Sequence, residues 1–96
     1  MPSIAETARY EPKRSVIESN LEAELVLLDP ETRQMYSLNP VGRAIWRALP
    51  ERTVAALADE ITRQFDVERE RALEDVRRIL GELLGVGLIL PARDAA

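Results

Sequence analysis

The side chains with chemical capacity in this 96-residue chain are four serines, one lysine, two tyrosines and a set of carboxylates, with no histidine and no cysteine. Lacking imidazole, the chain has lost the commonest general base, and lacking thiol it has lost the most reactive nucleophile. Together the two absences remove the usual ligands for zinc, copper and iron and rule out a disulfide framework. Carboxylates leave room in principle for a magnesium site only. Ser3, Ser15, Ser19 and Ser37 fall in terminal, strand or turn settings, and none is framed by a G-x-S-x-G elbow. Catalysis would have to rest on serine, Lys13, tyrosine or carboxylates. The expectation is a protein that is not an enzyme and carries no cofactor. Its chemistry is then recognition, through backbone edges, apolar surfaces and charge.

These side chains must be positioned by one small domain, since 96 residues is near the size at which a single core sustains folding. An apolar content of 46% makes that core possible, and 31% charged residues give it an ordinary polar surface. No segment approaches the run of about 20 apolar residues that a membrane helix needs. The start, MPSIAETARYEPKR, has neither a basic cluster nor an apolar h-region. A cytoplasmic setting without membrane contact is expected.

Residues 1–11 lack periodicity and read as a flexible tail, with a domain over 12–90 and a second tail over 91–96. RSVI, ending at Ile17, is a short strand candidate followed by a polar turn at Glu18-Ser19-Asn20. AELVLLD, 23–29, reads as a second strand. Asp29-Pro30-Glu31-Thr32 has type I turn chemistry, with Asp first and Pro second. RQMYSL then returns as a third strand, with Gln34, Tyr36 and Leu38 on one face and Arg33, Met35 and Ser37 on the other. Asn39 caps a helix whose first position is Pro40, where the missing N–H costs nothing. Its apolar face is Val41, Ala44, Ile45, Ala48 and Leu49, with Trp46 at the border, and it ends at Pro50. A second helix begins at Thr53 with Val54, Leu57, Ala58, Ile61 and Phe65 on one stripe. Asp66 is the cap candidate for the third, about 68–84, whose stripe is Ala72, Leu73, Val76, Ile79, Leu80, Leu83 and Leu84. Glu74–Arg78 and Arg78–Glu82 are its spaced ion pairs, and Gly85 and Gly87 its stop signals. LIL at 88–90 is a last strand or a packed end. The order defines an α+β fold, winged helix-turn-helix-like, with a three-stranded antiparallel sheet followed by three helices.

A winged helix commonly reads DNA, but the charge opposes it. From Glu68 to Gly85 the third helix has four arginines against five acids, and the whole chain stands at −4. Affinity for a duplex comes largely from neutralising phosphates, so no nucleic-acid partner is expected unless folding gathers a basic face.

The segments "LVLLDPETRQMYSLNPVGRAIW", "TVAALADEITRQFDV" and "ALEDVRRILGELLGVGLI" together resemble the PqqD-like family, the recognition elements of ribosomally made, modified peptides. The resemblance spans about residues 13–90. It rests on a leucine-rich strand, a tyrosine strand ending in Leu-Asn, Gly then Ile-Trp in the first helix, a later Asp-Val and a closing Gly-Leu-Ile. It implies an adaptor that binds the leader segment of a precursor peptide and presents it to modifying enzymes. Some members resemble the B-type partners of lasso-peptide pathways, which act with a separate leader peptidase. Others serve radical SAM enzymes, as in pyrroloquinoline quinone synthesis. The strand pair LLDPETRQMYSLN is similar to the lasso type. In such families the leader adds as a strand to the third strand and lies against the third helix. This implies a peptide site of Arg33, Gln34, Met35, Tyr36 and Ser37 with Asp75, Val76, Ile79 and Leu83.

The mechanism has a physical basis of its own. An open strand edge offers unpaired N–H and C=O groups at regular spacing to any extended chain, while side-chain pockets supply specificity. Burying ~100 Å² of apolar area per anchor residue yields roughly 2.5 kcal/mol before ordering costs, so several anchors are needed. Read without the resemblance, Val76 and Leu83 lie mid-stripe and belong to a core, as do Leu38, Ile45 and Trp46. Tyr36 either lines a groove or covers the core, and Met35 either faces solvent or makes an adaptable contact. Asp75 and Arg78 read polar leader groups or form a solvated face, and either flank of the third helix could face the peptide. An unoccupied edge also allows a weak homodimer beside the monomer.

Overall fold

The computed structural model describes residues 4–92. Its centre is an antiparallel sheet of three strands, β2 (Ile17–Leu21), β3 (Glu24–Asp29) and β4 (Gln34–Leu38), with β3 in the middle. β1 (Tyr10–Pro12) and β5 (Ile89–Pro91) make a separate antiparallel pair. Three helices, α1 (Pro40–Arg47), α2 (Val54–Gln64) and α3 (Arg69–Gly85), follow the sheet. The expected α+β order is thus present.

One core joins the layers. Leu25 and Leu27 of β3 and Leu38 of β4 point inward to meet Ile45 and Trp46 of α1, Leu57 and Ile61 of α2, and Val76, Leu80 and Leu83 of α3, all buried. The alternation along β3 is the cause. Leu25, Leu27 and Asp29 are buried, whereas Glu24 and Leu28 face out. Asn39 caps α1 through its side chain, which accepts from the Gly42 N–H at 2.8 Å, and Pro40 holds the first helical position as expected. Thr53 caps α2 in the same way, accepting from the Ala56 N–H at 3.2 Å.

Several expected boundaries shift. The first sheet strand lies over 17–21 rather than around 13–17, so Glu18-Ser19-Asn20 is strand and the turn is the two residues Glu22-Ala23. Glu22 takes a φ of 49° there without glycine, which is why no turn signal marks the place. Tyr10 and Glu11, expected in a tail, instead join Pro12 in the strand that pairs with Ile89–Pro91, and Tyr10 is buried there. The segment before it is held as well. Glu6 and Ala8 carbonyls accept the N–H groups of Ala55 and Val54, both at 2.9 Å, satisfying donors that the start of α2 leaves open. β5 ends at Pro91, and the Ala92 N–H beyond it is held by the Arg9 carbonyl at 2.9 Å. Residues 1–3 and 93–96 of the expected tails lie outside the described residues. α1 stops at Arg47, short of Pro50. Glu68, not Asp66, stands at the N-cap of α3, with no side-chain bond.

Candidate peptide-binding edge

The phase of the sheet fixes which backbone groups are free. Leu21 and Glu24 pair directly across the two-residue turn, so they exchange both of their backbone bonds. Along a strand, successive residues direct their N–H and C=O groups to opposite sides. Glu24, Val26 and Leu28 therefore bond to β2, and Leu25, Leu27 and Asp29 bond to β4 through Leu38, Tyr36 and Gln34. Met35 and Ser37 are left with their backbone groups pointing out of the sheet at the β4 edge.

Beside that edge runs α3. A groove of about 190 Å³ lies between them, lined by Tyr36, Ser37, Leu38, Asn39, Arg78 and Ile79. Its floor is apolar, with Leu38 and Ile79 all but covered. The Tyr36 hydroxyl donates to the Glu82 carboxylate and so ties β4 to α3. Arg78 stands on the rim between two acids, 3.8 Å from Asp75 and 3.6 Å from Glu82. Asp75, rather than the expected Glu74, thus joins Glu82 in holding it. The flank of α3 that faces the strand is thereby settled as the one bearing Asp75, Arg78, Ile79 and Glu82.

The nine residues implied by the resemblance separate in the structure. Met35 and Ser37 form the open edge, Tyr36 bonds inward to Leu27 and lines the groove with its side chain, and Ile79 and Asp75 stand on the facing flank. Gln34 bonds inward to Asp29. Arg33 lies in the turn before the strand, with φ 63°. Val76 and Leu83 are wholly buried and present no surface to the groove; both sit at the middle of the helical stripe, where the core claims them. Leu38, Asn39, Arg78 and Glu82 were not in that set. Glu82 could have been found from its spacing, three residues beyond Ile79 and seven beyond Asp75, which puts all three on one helix face.

The hairpin that launches β4 is anchored by a buried carboxylate. Asp29 is fully covered and accepts from the Lys13 ammonium at 2.6 Å, the Ser15 hydroxyl at 2.9 Å and the Glu31 N–H at 3.0 Å. Lys13 also lies 3.2 Å from Glu31. The Lys13 hydrogen bond, opposed by burial and helped by the Glu31 N–H and Ser15, brings the Asp29 pKa down to about 2. The same contact with Asp29 raises the pKa of Lys13.

Two roomier hollows lie elsewhere. One of about 420 Å³, between the end of α1 and α2, is lined by Arg47, Arg52, Glu60 and Gln64 and has no strand edge beside it. The other, about 560 Å³, adjoins β1 and β5, where Pro12 and Pro91 lack the N–H that strand addition uses. The β2 edge is open and its residues stand exposed along its whole length, with Arg47 of α1 donating to the Asn20 side chain at 2.7 Å. Among the described residues no group of three or more His, Cys, Asp or Glu could hold a metal, and no described helix is long and apolar enough to cross a membrane.

No basic face emerges on α3. Arg69 pairs with Asp59 at 2.9 Å and Glu6 at 3.5 Å, Arg71 lies 3.8 Å from Asp75, and Arg77 donates to the Ile4 carbonyl at 3.0 Å. With Arg78 also paired, the helix has no run of uncompensated positive charge for phosphates.

An open sheet edge beside a groove with an apolar floor and a charged rim is a geometry that can take an extended peptide as an added strand. The chain belongs to the PqqD family, described as coenzyme PQQ synthesis protein D, whose model matches residues 24–89. Among solved structures it is similar to TbiB1 in complex with the TbiA(beta) leader peptide, at 27% identity and a TM-score of 0.76, over 88% of this chain and 99% of that one. It is similar also to a lasso peptide synthetase B1 complexed with its leader peptide, at 26% identity and a TM-score of 0.76, over 88% of this chain and 100% of that one. No curated protein matches at a significant level.

Proposed function

We propose that this protein is a non-catalytic adaptor that binds the leader segment of a ribosomally synthesised precursor peptide and presents it to a modifying enzyme. The observation that carries the reading is the β4 edge, where the outward backbone groups of Met35 and Ser37 border the groove floored by Leu38 and Ile79. An extended leader adds there as a further strand. Alternate side chains enter the groove, and the Asp75, Arg78 and Glu82 rim sets the polar contacts. Family membership and the likeness to two leader-bound B1 proteins support the same reading. The likeness to a lasso peptide synthetase B1 supports a lasso-type pathway, in which we infer a separate leader peptidase as the enzyme served. Synthesis of the precursor on ribosomes places the adaptor in the cytoplasm, as a monomer or weak homodimer.

The test is a titration of the isotopically labelled protein with its leader peptide, followed by backbone NMR. Met35, Ser37 and the Asp75–Glu82 flank should shift together and saturate. Should those residues stay unmoved while the peptide binds, the edge is not the docking site.

A further inference from the structure

The sheet face turned away from the helices carries apolar side chains that the core does not use. Register places Ile17 of β2 opposite Leu28 of β3, and Leu28 opposite Met35 of β4, so the three stand in one row across the sheet. They are exposed at 54%, 36% and 65%. The next row is polar at both ends, with Ser19 and Ser37 on either side of Val26. The Ser37 hydroxyl donates to the Glu24 carboxylate at 2.8 Å. A sheet face turned to water normally carries polar residues, and a row that stays apolar up to the open edge is the exception on it.

Its size decides what covers it. With strands about 4.8 Å apart and residues about 3.3 Å apart, three strands of five residues project on the order of 250 Å². A stable interface between folded proteins takes about 800 Å² per partner, so neither a second copy nor another folded protein is held by this face alone. A single peptide side chain needs only about 100 Å². The β4 edge delivers such side chains. Met35 and Ser37 are the residues whose backbone groups point outward, and a strand added there sets one residue directly opposite each, with its side chain on the same face as theirs. In either strand direction, one leader residue lands beside Met35 at the end of the apolar row, and the residue two positions away lands beside Ser37 and Glu24. The residue between them turns to the other face, into the groove floored by Leu38 and Ile79. Met35, an unbranched thioether that adapts its shape, is the first contact on the outer face, with Leu28 behind it, whereas Ile17 stands about 14 Å from the leader column and out of reach.

Resting on the adaptor reading above, we propose that Met35, backed by Leu28, is a specificity site for the leader on the outer face of the sheet. It takes an apolar side chain from the leader residue opposite Met35, while the residue opposite Ser37 is small or polar. Recognition is then two-sided: the groove reads leader residues of one parity, and the outer face reads one residue of the other. Met35 serves the same strand twice, its backbone pairing with any extended sequence and its side chain selecting among them.

The experiment titrates the full-length protein, by calorimetry, with a synthetic peptide carrying its precursor's leader and with single serine variants of that peptide. Cross-strand amide contacts in the labelled complex identify the leader residues opposite Met35 and Ser37. Serine opposite Met35 should weaken binding about fivefold or more, the scale set by one partly buried aliphatic side chain, and serine opposite Ser37 should leave it within about twofold. These peptide variants test the site on an unaltered protein. On the protein side, Met35→Lys keeps the backbone N–H; it should weaken the parent leader by a similar factor and recover binding when the leader residue opposite carries aspartate. Ile17→Lys, at the far end of the row, should leave affinity within about twofold. Serine tolerated opposite Met35, with losses confined to the groove-facing positions, overturns the outer-face site and leaves the adaptor reading standing. An Ile17→Lys variant that loses as much affinity as Met35→Lys also overturns it, because no single leader side chain spans that distance. A parent that fails to bind leader at all sinks the adaptor reading and this site with it.

Discussion

Tyr36 joins two jobs in one side chain: its ring covers the inner face of β4 while its hydroxyl reaches Glu82 on α3, setting the width of the groove. Tyr36→Phe should leave stability within about 1 kcal/mol, since the bond lies at the surface, and weaken leader binding by about 0.5–1.5 kcal/mol through a looser groove. Calorimetric titration decides it; an affinity gain would make the Tyr36–Glu82 bond a closed state that the leader has to open. Asp29 supplies a pH signature. Its pKa of about 2 lies below the ordinary 3.8, so the folded state prefers the charged form, and the resulting stability is complete above the ordinary value and lost as pH falls from about 4 to 2. Thermal melts over that range should show a steep fall in the parent and a flatter one in Asp29→Asn, which has no proton to gain. A residue of this kind was legible only as a turn former. The aspartate before Pro30 announced the turn, but its burial under Lys13 and Ser15 depends on where the chain passes before β2, and nothing local in the sequence encodes that path.

The strand β4 separates folding from recognition by alternate residues. Tyr36→Pro removes an N–H that bonds to Leu27 and should lower the melting temperature sharply. Met35→Pro removes an N–H that points to the open edge, so folding should survive while leader affinity falls by about the 0.5–1.5 kcal/mol of one hydrogen bond, plus local distortion. If both variants melt like the parent and bind the leader equally well, β4 is not the docking edge. At this scale the helices were the most readable elements, because Asn39-Pro40 and Thr53 are explicit start signals and the apolar stripes are long. The flank of α3 that meets the strand was not readable. It depends on the rotation of the helix about its axis, which is set by packing against α2 and β4 rather than by its own sequence. β2 was misplaced for a related reason: I-E-S-N-L is exposed throughout and so lacks the buried alternation by which a strand is recognised. Gly42 marks another element-scale constraint. A Cβ there would stand 2.8 Å from Leu38 Cδ2, so Gly42→Val should cost about 1–3 kcal/mol in a denaturant melt by forcing the first turn of α1 off the end of β4.

At the scale of the molecule, a net charge of −4 and arginines already paired along α3 mean that binding driven by backbone pairing and apolar anchors involves little counterion release. Leader affinity should therefore change by less than about threefold between low and moderate salt, whereas a fall by orders of magnitude would point to a charge-driven site. The order of strands before helices was visible in the sequence because β3 and the three helices carry their own periods, although β2 does not. The clasp of β1 on β5 was not, since Tyr10 and Pro91 are joined by a pairing that spans almost the whole chain, and three-residue strands have too few positions to show a period. That clasp has a topological corollary. Arg9 and Ala92 are already hydrogen-bonded neighbours, the Ala92 N–H meeting the Arg9 carbonyl at 2.9 Å, so a linker that keeps residues 4–8 on α2 can close the chain on that side and the backbone can be opened instead at the tight Glu22-Ala23 turn. Such a circular permutant would begin with β3 and end with β2, keep the β4 edge and its groove intact, and make the most distant pairing in the fold the most local one.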